Sequence, residues 1–261
     1  MTAAFRRKFL LLIVLAVAAL PAFAAASERQ VLGARRSYRT PYYVLRGDAP
    51  GPVVLIQGGI HGDELAGTFA LDAMIKKIAI RNGTVIFIPR LNAPAVARER
   101  RYVYYDLNRA FGSPRRSSPY EFALARDLET FARAQKIDYM VTLHEAHWLY
   151  DTAMARSLGQ TICYGVNPPP PLLDAWLPRL NSTVALAQDK FNAKYFPIAT
   201  SSTEVLVADL HLKGGFCVET WRELPLDRRI AYQRAAVESF LTTVGIDFRY
   251  GGPDLAPHAS Q

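Results

Sequence analysis

Short apolar runs alternate with amphipathic stretches along most of the chain, starting near residue 30. The short runs are rich in β-branched and aromatic residues and are bounded by Gly, Pro or charged positions, a pattern that predicts strands. The predicted strands are Tyr42–Leu45, Val53–Ile56, Thr84–Ile88, Tyr139–Leu143, Thr161–Gly165 and Phe216–Glu219. The stretches between them predict helices at Leu65–Ile78, from Ser118 onward, at Pro178–Phe191, at Ser201–Lys213 and at Ile230–Val244.

This alternation predicts the fold class. Apolar strands that alternate with helices indicate an α/β protein, a single-domain three-layer sandwich whose mostly parallel mixed sheet carries helices on both faces. The helix after Ser118 has a predicted capping box, with Ser118 as the cap, Pro119 in the first turn and Glu121 three residues on. The long connection before it, residues 90–118, has no regular pattern, and such segments inside compact domains are usually functional.

The first 24 residues have the pattern of an export signal. Arg6, Arg7 and Lys8 precede an unbroken apolar run from Phe9 to Leu20, and Ala22-Phe23-Ala24 offers small residues where a signal peptidase cleaves. The run is shorter than the ~20 apolar residues of a membrane span. We therefore expect cleavage after Ala24, with an uncleaved anchor as the alternative. The mature protein would be periplasmic in a Gram-negative source and secreted otherwise, with no stable membrane span.

The predicted domain boundaries follow from this segment. Residues 1–24 are the signal peptide, residues 25–249 one folded domain and residues 250–261 a disordered tail. Removal of the signal's basic residues lowers the net charge from +8 to +5. The remaining basic residues are scattered and form no Lys/Arg helix face, which argues against a nucleic-acid partner.

Cys163 and Cys217 lie in predicted strands, and the sequence leaves open whether they form a disulfide or stay as two buried thiols.

Polar residues that carry chemistry follow two of the predicted strands. His61 and Glu64 come directly after an apolar strand and two glycines, and both side chains of such a tight turn can reach one metal ion. His144 ends a second strand and is a candidate third ligand, with His147 as its competitor. Glu145 is either a solvated carboxylate or a group that orients a ligand. Chance also produces such patterns, and a solvated His and Glu on a glycine-rich turn is the plainer interpretation.

Two further groups of residues suit a hydrolytic site. Arg101, Asn108 and Arg109 lie in the long connection, where guanidinium groups can hold a carboxylate or steady an oxyanion. The alternative is a solvated basic loop. Glu219 ends a short apolar strand, a position where a general base for water is useful. Its alternative is a strand-end carboxylate paired with Arg222.

Taken together in chain order, these residues resemble the zinc carboxypeptidase superfamily, in particular its aspartoacylase/succinylglutamate desuccinylase branch with murein-peptide-cleaving relatives. The most specific pieces are His61-Gly62-Asp63-Glu64 and Arg101 followed by Asp106-Leu107-Asn108-Arg109, and the match runs from about residue 51 to residue 219. The resemblance implies one zinc ion per chain and a zinc-dependent hydrolase domain. It implies the following roles: His61, Glu64 and His144 as zinc ligands, Arg101 at the oxyanion, Asn108 and Arg109 at a substrate carboxylate, and Glu219 as general base and then general acid.

The sequence departs from this family in two places. Thr142 stands where the branch often has an Asp two residues before the third ligand, so the partner of the His144 ring is open. Aspartoacylase-like enzymes also carry a β domain after the catalytic Glu, and we expect it to be missing because 42 residues follow Glu219.

The expected function is an exported carboxypeptidase or amidase on peptidoglycan peptides that carry a free carboxylate. Export favours this substrate, because murein peptides lie outside the inner membrane. The alternatives are a deacylase of small N-acyl amino acids and a catalytically inactive carboxylate-binding module.

Overall fold

The computed structural model describes residues 28–115, 118–154, 157–166, 169–197, 202–203 and 205–251. The predicted signal peptide and nearly all of the predicted tail lie outside these residues. So do Ser201 and Glu204 of the predicted helix Ser201–Lys213.

An eight-stranded mixed sheet forms the middle layer. Its strands are β1 (Glu28–Leu32), β2 (Thr40–Arg46), β3 (Ala49–Gln57), β5 (Asn82–Ile88), β6 (Tyr139–Ala146), β7 (Thr161–Tyr164), β8 (Asn192–Tyr195) and β9 (Gly214–Trp221). They are arranged in the order β1-β2-β5-β3-β6-β9-β7-β8. The central strands β5, β3, β6 and β9 run parallel, whereas β2 pairs with β5 and β7 pairs with β9 in antiparallel fashion.

Helices cover both faces of this sheet. They are α1 (Leu65–Ile75), α2 (Ala93–Val96), α3 (Tyr120–Gln135), α4 (Leu172–Ser182), α5 (Val205–Asp209) and α6 (Leu226–Thr243). Leu71 of α1, Trp176 of α4 and Phe240 of α6 belong to the core on one face. Phe122 and Leu128 of α3 belong to the core on the other face. The predicted three-layer α/β sandwich is therefore confirmed.

The central strand β3 shows why the sequence folds in this way. Its residues Val54, Leu55 and Ile56 are all fully buried. Successive side chains of a strand point to opposite faces, so Val54 and Ile56 enter one core and Leu55 the other. A continuous apolar run is what a strand needs when both of its faces are covered by helices.

Three predicted helices have different bounds in the structure. The helix predicted at Leu65–Ile78 ends at Ile75, and Ile78–Ile80 forms strand β4, which pairs with β10 (Phe248–Tyr250) in a second, two-stranded sheet. The prediction Pro178–Phe191 was wrong, because α4 spans Leu172–Ser182 with Pro178 inside it. Of the predicted helix Ser201–Lys213, the structure shows the five residues of α5.

The predicted capping box of α3 was also wrong. Pro119, not Ser118, is the N-cap residue, and no side-chain capping hydrogen bond forms there among the described residues. The Glu121 carboxylate accepts hydrogen bonds from the backbone N–H groups of Tyr104 at 3.0 Å and Tyr105 at 3.2 Å. Glu121 therefore fastens the long connection to α3 instead of closing the helix end. Among the described residues, no helix is both long and apolar enough to cross a membrane.

Candidate metal centre

Three neighbouring parallel strands deliver the candidate residues to one edge of the sheet. Strand β3 ends at Gln57 and leads into the turn with His61 and Glu64, just before α1. His144 lies near the end of β6, and Glu219 of β9 is its register partner. The carboxyl ends of parallel strands meet at one edge, where α/β folds bind ligands.

The ligand turn packs closely against the connection that follows β5. Gly59 has a φ of +67°, a backbone conformation that glycine adopts without strain. A Cβ atom at Gly62 would lie 2.1 Å from the carbonyl carbon of Ala95, so no side chain fits there. The Gly62 N–H donates to the backbone oxygen of Arg101 at 3.3 Å. The two glycines thus hold the His61–Glu64 turn against α2 and against the loop from Arg101 to Arg109, called the arginine loop below.

His61, Glu64 and His144 form a buried cluster. The Glu64 carboxylate lies between the two imidazoles, with Oε1 2.7 Å from His61 Nδ1 and Oε2 2.7 Å from His144 Nδ1. One candidate ligand atom from each residue lies within 4.8 Å of the others. The three side chains are no more than 5% exposed. The structure therefore brings together the three residues that the sequence proposed as metal ligands, and not His147.

The charges of this cluster depend on one another. Burial alone lowers the pKa of His61, but the Glu64 charge and the Asp106 and Glu64 hydrogen bonds raise it to about 9. Burial also opposes protonation of His144, yet Glu64 raises its pKa above the usual value. Conversely, burial disfavours the Glu64 anion, and the two imidazoles hold the pKa of Glu64 well below its usual range.

The donor set fits a divalent cation. Two imidazole nitrogens and one carboxylate, all buried and convergent, are the ligands of many catalytic zinc sites. The raised pKa values of both histidines show that the pocket stabilises positive charge, which a metal ion would supply in place of protons. His144 Nε2 is buried and has no hydrogen-bond partner among the described residues. Thr142, which stands where the family often has an Asp, therefore does not bind this ring nitrogen.

Asp106 connects the cluster to the arginine loop. Its Oδ1 lies 3.3 Å from His61 Nε2, and its Oδ2 accepts from Arg101 Nη2 at 3.1 Å. A carboxylate on the second ring nitrogen is the usual partner of a metal-ligating histidine. Burial raises the pKa of Asp106, but His61 and Arg101 outweigh it and keep the carboxyl ionised. Asp106 stood in the sequence motif, although its role was not predicted.

Arg101 reaches the cluster directly. Its Nη1 lies 3.4 Å from Glu64 Oε1, while the rest of the guanidinium is held by Asp106. A half-exposed cation beside a candidate ligand is well placed to meet negative charge that develops on a substrate. The oxyanion role of Arg101 stays a prediction, and the structure shows this guanidinium next to the candidate ligand cluster.

Asn108 and Arg109 lie on the same loop, farther out. Asn108 Oδ1 accepts from both the backbone N–H and the hydroxyl of Thr203 at 2.9 Å, which leaves the NH₂ end of this amide to donate to a ligand. Arg109 is exposed, and its Nη1 donates to the Asn108 carbonyl at 2.7 Å. The Arg109 guanidinium thus contacts the backbone of Asn108, and the role of the two residues at a substrate carboxylate stays a prediction.

Glu145 is not a solvated carboxylate. It is 3% exposed, accepts from the Ala66 N–H at 2.7 Å and forms an ion pair with Arg229 of α6. Its own N–H donates to Glu64 Oε2 at 3.2 Å. Of the two sequence interpretations, the orienting role is therefore the one that the contacts support.

Gln233 supports the site from α6, and no sequence pattern indicates this role. Its side-chain amide donates to the His144 carbonyl at 2.7 Å and to Thr220 Oγ1 at 3.1 Å. This buried side chain thereby links the ends of β6 and β9, where His144 and Glu219 stand. Only the folded arrangement of α6 against these strands reveals it.

Arg222 is the alternative partner of Glu219 in the sequence-based interpretation, and the structure shows two partners of Arg222. Arg222 Nη1 lies 3.1 Å from His147 Nε2, and its Nη2 lies 3.1 Å from Asp63 Oδ2. Arg222 therefore pairs with Asp63 and His147. Glu219 is half-buried, accepts from the Cys217 thiol at 3.6 Å, and its charge contributes to the raised pKa of His144.

A family model matches part of the chain. Residues 50–157 match the succinylglutamate desuccinylase/aspartoacylase catalytic domain. That range contains His61, Glu64, Arg101 and His144, and Glu219 lies beyond it. The resemblance predicted from the sequence is therefore confirmed.

Sequence relatives match shorter stretches. The chain is 33% identical over 103 residues to the human N-acyl-aromatic-L-amino acid amidohydrolase (carboxylate-forming), covering 35% of this chain and 32% of that enzyme. It is 40% identical over 77 residues to the N-alpha-acetyl-L-2,4-diaminobutyric acid deacetylase of Halomonas elongata, covering 27% of this chain and 22% of that enzyme. Each match thus spans less than a third of the relative's length.

Among solved structures, the fold is similar to that of Csd4 from Helicobacter pylori, a D,L-carboxypeptidase in its mDAP-bound form. The TM-score is 0.68 at 23% sequence identity, and the match covers 79% of this chain and 54% of that chain. At this identity the likeness establishes the fold alone, because one fold serves many reactions.

Proposed function

We propose that this chain, whose residues 50–157 match the succinylglutamate desuccinylase/aspartoacylase catalytic domain, is a zinc hydrolase that cleaves an amide bond next to a free carboxylate. The observation that carries the proposal is the buried His61–Glu64–His144 cluster, whose ligand atoms lie within 4.8 Å of one another. Zinc held by three protein ligands activates water and polarises a carbonyl group.

The chain's own residues account for the rest of the reaction. Glu219, the register partner of His144, accepts a proton from the attacking water and returns it to the leaving amine. Arg101, 3.4 Å from Glu64 Oε1, donates to the oxygen that gains negative charge. Asp106 orients both His61 and Arg101 and so couples the two halves of the site.

Asn108 and Arg109 hold the substrate's free carboxylate in this proposal. The side-chain oxygen Oδ1 of Asn108 accepts a hydrogen bond from Thr203, and the neighbouring residue Arg109 is exposed. Two neighbouring donors on one loop suit a bidentate anion. This arrangement would restrict cleavage to a bond near a chain end or to a small acyl amino acid.

The proposed substrate is a peptidoglycan peptide. The export pattern of residues 1–24 favours it, because murein peptides with free carboxylates lie outside the inner membrane. The fold of a D,L-carboxypeptidase supports the same choice by analogy.

A deacylase of small N-acyl amino acids is the second candidate. It is favoured by the two sequence relatives, both of which are named for removal of an acyl group from an amino acid. Both candidates use the same metal and the same base, so they differ in the substrate and not in the site.

A comparison of three kinds of substrate separates the two candidate functions. Purified protein is dialysed against a chelator, reloaded with zinc, and offered a murein peptide with a free terminal carboxylate, the same peptide amidated, and N-acetyl amino acids. We expect zinc-dependent release of an amino acid from the free-acid peptide and much slower cleavage of the amide. Faster cleavage of the N-acetyl amino acids would favour the deacylase. No zinc-dependent cleavage of any of them would contradict the proposal.

A variant pair tests the carboxylate site in the same assay. Arg109→Ala should erase the preference for the free acid, because a bidentate donor is lost. Arg98→Ala is the matched control, since Arg98 is another exposed arginine near this loop and donates to the Pro94 carbonyl. Equal rates on both peptides with the wild type would instead indicate an amidase that cuts at an internal bond.

A further inference from the structure

Cys163 and Cys217 lie directly opposite each other in the sheet. Strands β7 and β9 are antiparallel, and their register pairs Cys163 with Cys217. Directly opposed residues of antiparallel strands have Cα atoms about 4.5–5.5 Å apart and side chains on the same face. A disulfide requires Cα atoms roughly 4.4–6.8 Å apart, so this register meets the requirement without movement of the backbone.

The two thiols differ in their surroundings. Cys163 is buried, 5% exposed, and its Sγ lies 3.3 Å from Thr161 Oγ1. Cys217 is half-buried, and its Sγ donates to Glu219 Oε1 at 3.6 Å. An oxidant in solution therefore reaches Cys217 first, and Cys163 is positioned to react with whatever forms on it.

We propose that Cys163 and Cys217 are a modification site that closes to a cross-strand disulfide in the presence of a low-molecular-weight disulfide. The Cys217 thiolate attacks one sulfur of the oxidant, forms a mixed disulfide and releases one thiolate. The Cys163 thiolate then attacks Cys217 Sγ and releases the second. Two protein thiols and one small disulfide thus give one protein disulfide and two small thiols, so the oxidant takes up both electrons and both protons.

The cross-link has a consequence for the candidate active site. Once Cys217 Sγ is bonded to Cys163, it no longer carries a proton to donate to Glu219 Oε1. The disulfide also ties β9, the strand that carries Glu219, to β7. Turnover should therefore differ between the two redox forms, and this consequence, unlike the cross-link itself, rests on the proposed role of Glu219.

Mass spectrometry on the folded protein tests the cross-link. The reduced protein is incubated with glutathione disulfide, unfolded, alkylated and weighed. We expect loss of two hydrogen atoms and no alkylation, with Cys163 and Cys217 recovered in one linked peptide. Cys163→Ser should stop at a glutathione adduct on Cys217, because the resolving thiol is absent. Two alkylated cysteines in the wild type, or a stable glutathione adduct that Cys163 does not resolve, would overturn the proposal.

Two further measurements separate the cross-link from its effect. The oxidised wild type should melt at a higher temperature than the reduced protein, since the disulfide closes a long loop of the unfolded chain. Cys163→Ser should keep the activity of the reduced wild type when no oxidant is present, and glutathione disulfide should not raise its melting temperature, because no cross-link can form. If the linked peptide forms but turnover is unchanged, the disulfide stands and its proposed effect on the candidate active site is wrong.

Discussion

The Cys217 thiol and the His144 charge both act on one carboxylate, that of Glu219. If this carboxylate is the base, Glu219→Gln keeps its shape and polarity but cannot accept a proton. Turnover should fall by about two to four orders of magnitude, the usual effect of removing a positioned base. Metal content and substrate affinity should stay close to wild type. Steady-state kinetics measure turnover and the dependence on substrate concentration, and metal analysis on the same samples measures metal content.

The other outcomes of this substitution are informative as well. If Glu219→Gln keeps near-wild-type turnover, the base is another group, and Glu145→Gln is the next variant to measure. If the variant loses its metal, Glu219 is a ligand. If the wild type itself shows metal binding without hydrolysis, the chain is a carboxylate-binding module.

Gly62 tests how tightly the ligand turn is held. A methyl group there would lie 2.1 Å from the Ala95 carbonyl carbon, so Gly62→Ala must push the turn away from α2. We expect loss of metal and a destabilisation of about 1–3 kcal/mol, as for other overpacked sites. Gly251→Ala is the control, because the nearest atom to its Cβ would be 3.9 Å away. Full metal content in dialysed Gly62→Ala would show that the turn tolerates the shift.

At the scale of elements, the strand ends were predictable and the supporting contacts were not. Apolar runs followed by polar residues located His61, Glu64, His144 and Glu219, since parallel strands deliver their carboxyl ends to one edge. Gln233, which donates to the His144 carbonyl, lies in the last helix, 89 residues away along the chain. No local pattern encodes a contact over that separation.

Helix bounds failed where tertiary packing overrode local preference. The sequence predicts a helix that begins at Pro178. In the structure Leu173, Trp176 and Leu180 of α4 are all buried, and their packing outweighs the single proline inside the helix. The sequence predicts Glu121 in a capping box, whereas the backbone N–H groups of Tyr104 and Tyr105 bind its carboxylate.

Asp138 fastens three strands at the opposite end of the sheet. Its carboxylate accepts from the Val53 N–H at 2.8 Å and from Lys213 Nζ at 2.8 Å, next to the starts of β6 and β9. Burial raises the pKa of Asp138, but the Lys213 and Val53 hydrogen bonds lower it below the usual value. A carboxyl with a lowered folded-state pKa stabilises the fold above its unfolded-state pKa, and this contribution is lost as the pH falls through the folded value.

Asp138→Asn should therefore cost about 1 kcal/mol near pH 7, the typical worth of one such hydrogen bond. The difference from wild type should shrink below about pH 4, the ordinary value for an aspartate. Denaturant unfolding at pH 7, 5, 4 and 3 measures it. Lys213→Gln is the comparison variant, because it removes the exposed ion pair and leaves the Val53 hydrogen bond. A difference that stays constant over this range would contradict the assignment.

At the scale of the whole molecule, the candidate metal site joins distant parts of the chain. His61 and Glu64 follow β3, Asp106 belongs to the long connection, and His144 belongs to β6. Glu64 contacts both His61 and His144, and His61 contacts Asp106. The cluster therefore exists only in the folded chain. A cation bound there stabilises the folded state and not the unfolded one.

Metal removal should consequently lower the melting temperature. A ligand that binds only the folded state contributes about 4 kcal/mol when its free concentration is a thousand times its Kd. For a domain of this size, 1 kcal/mol shifts Tm by about 2–4 °C, so a chelator should lower Tm by about 8–16 °C. His61→Ala should melt at the lower temperature with or without chelator, because one of its ligands is gone. His147→Ala should keep the shift, since His147 contacts Arg222 and lies outside the ligand cluster. The assignment of the metal to His61, Glu64 and His144 would be wrong if the chelator left the wild-type melting temperature unchanged. It would also be wrong if His147→Ala abolished the shift and His144→Ala kept it.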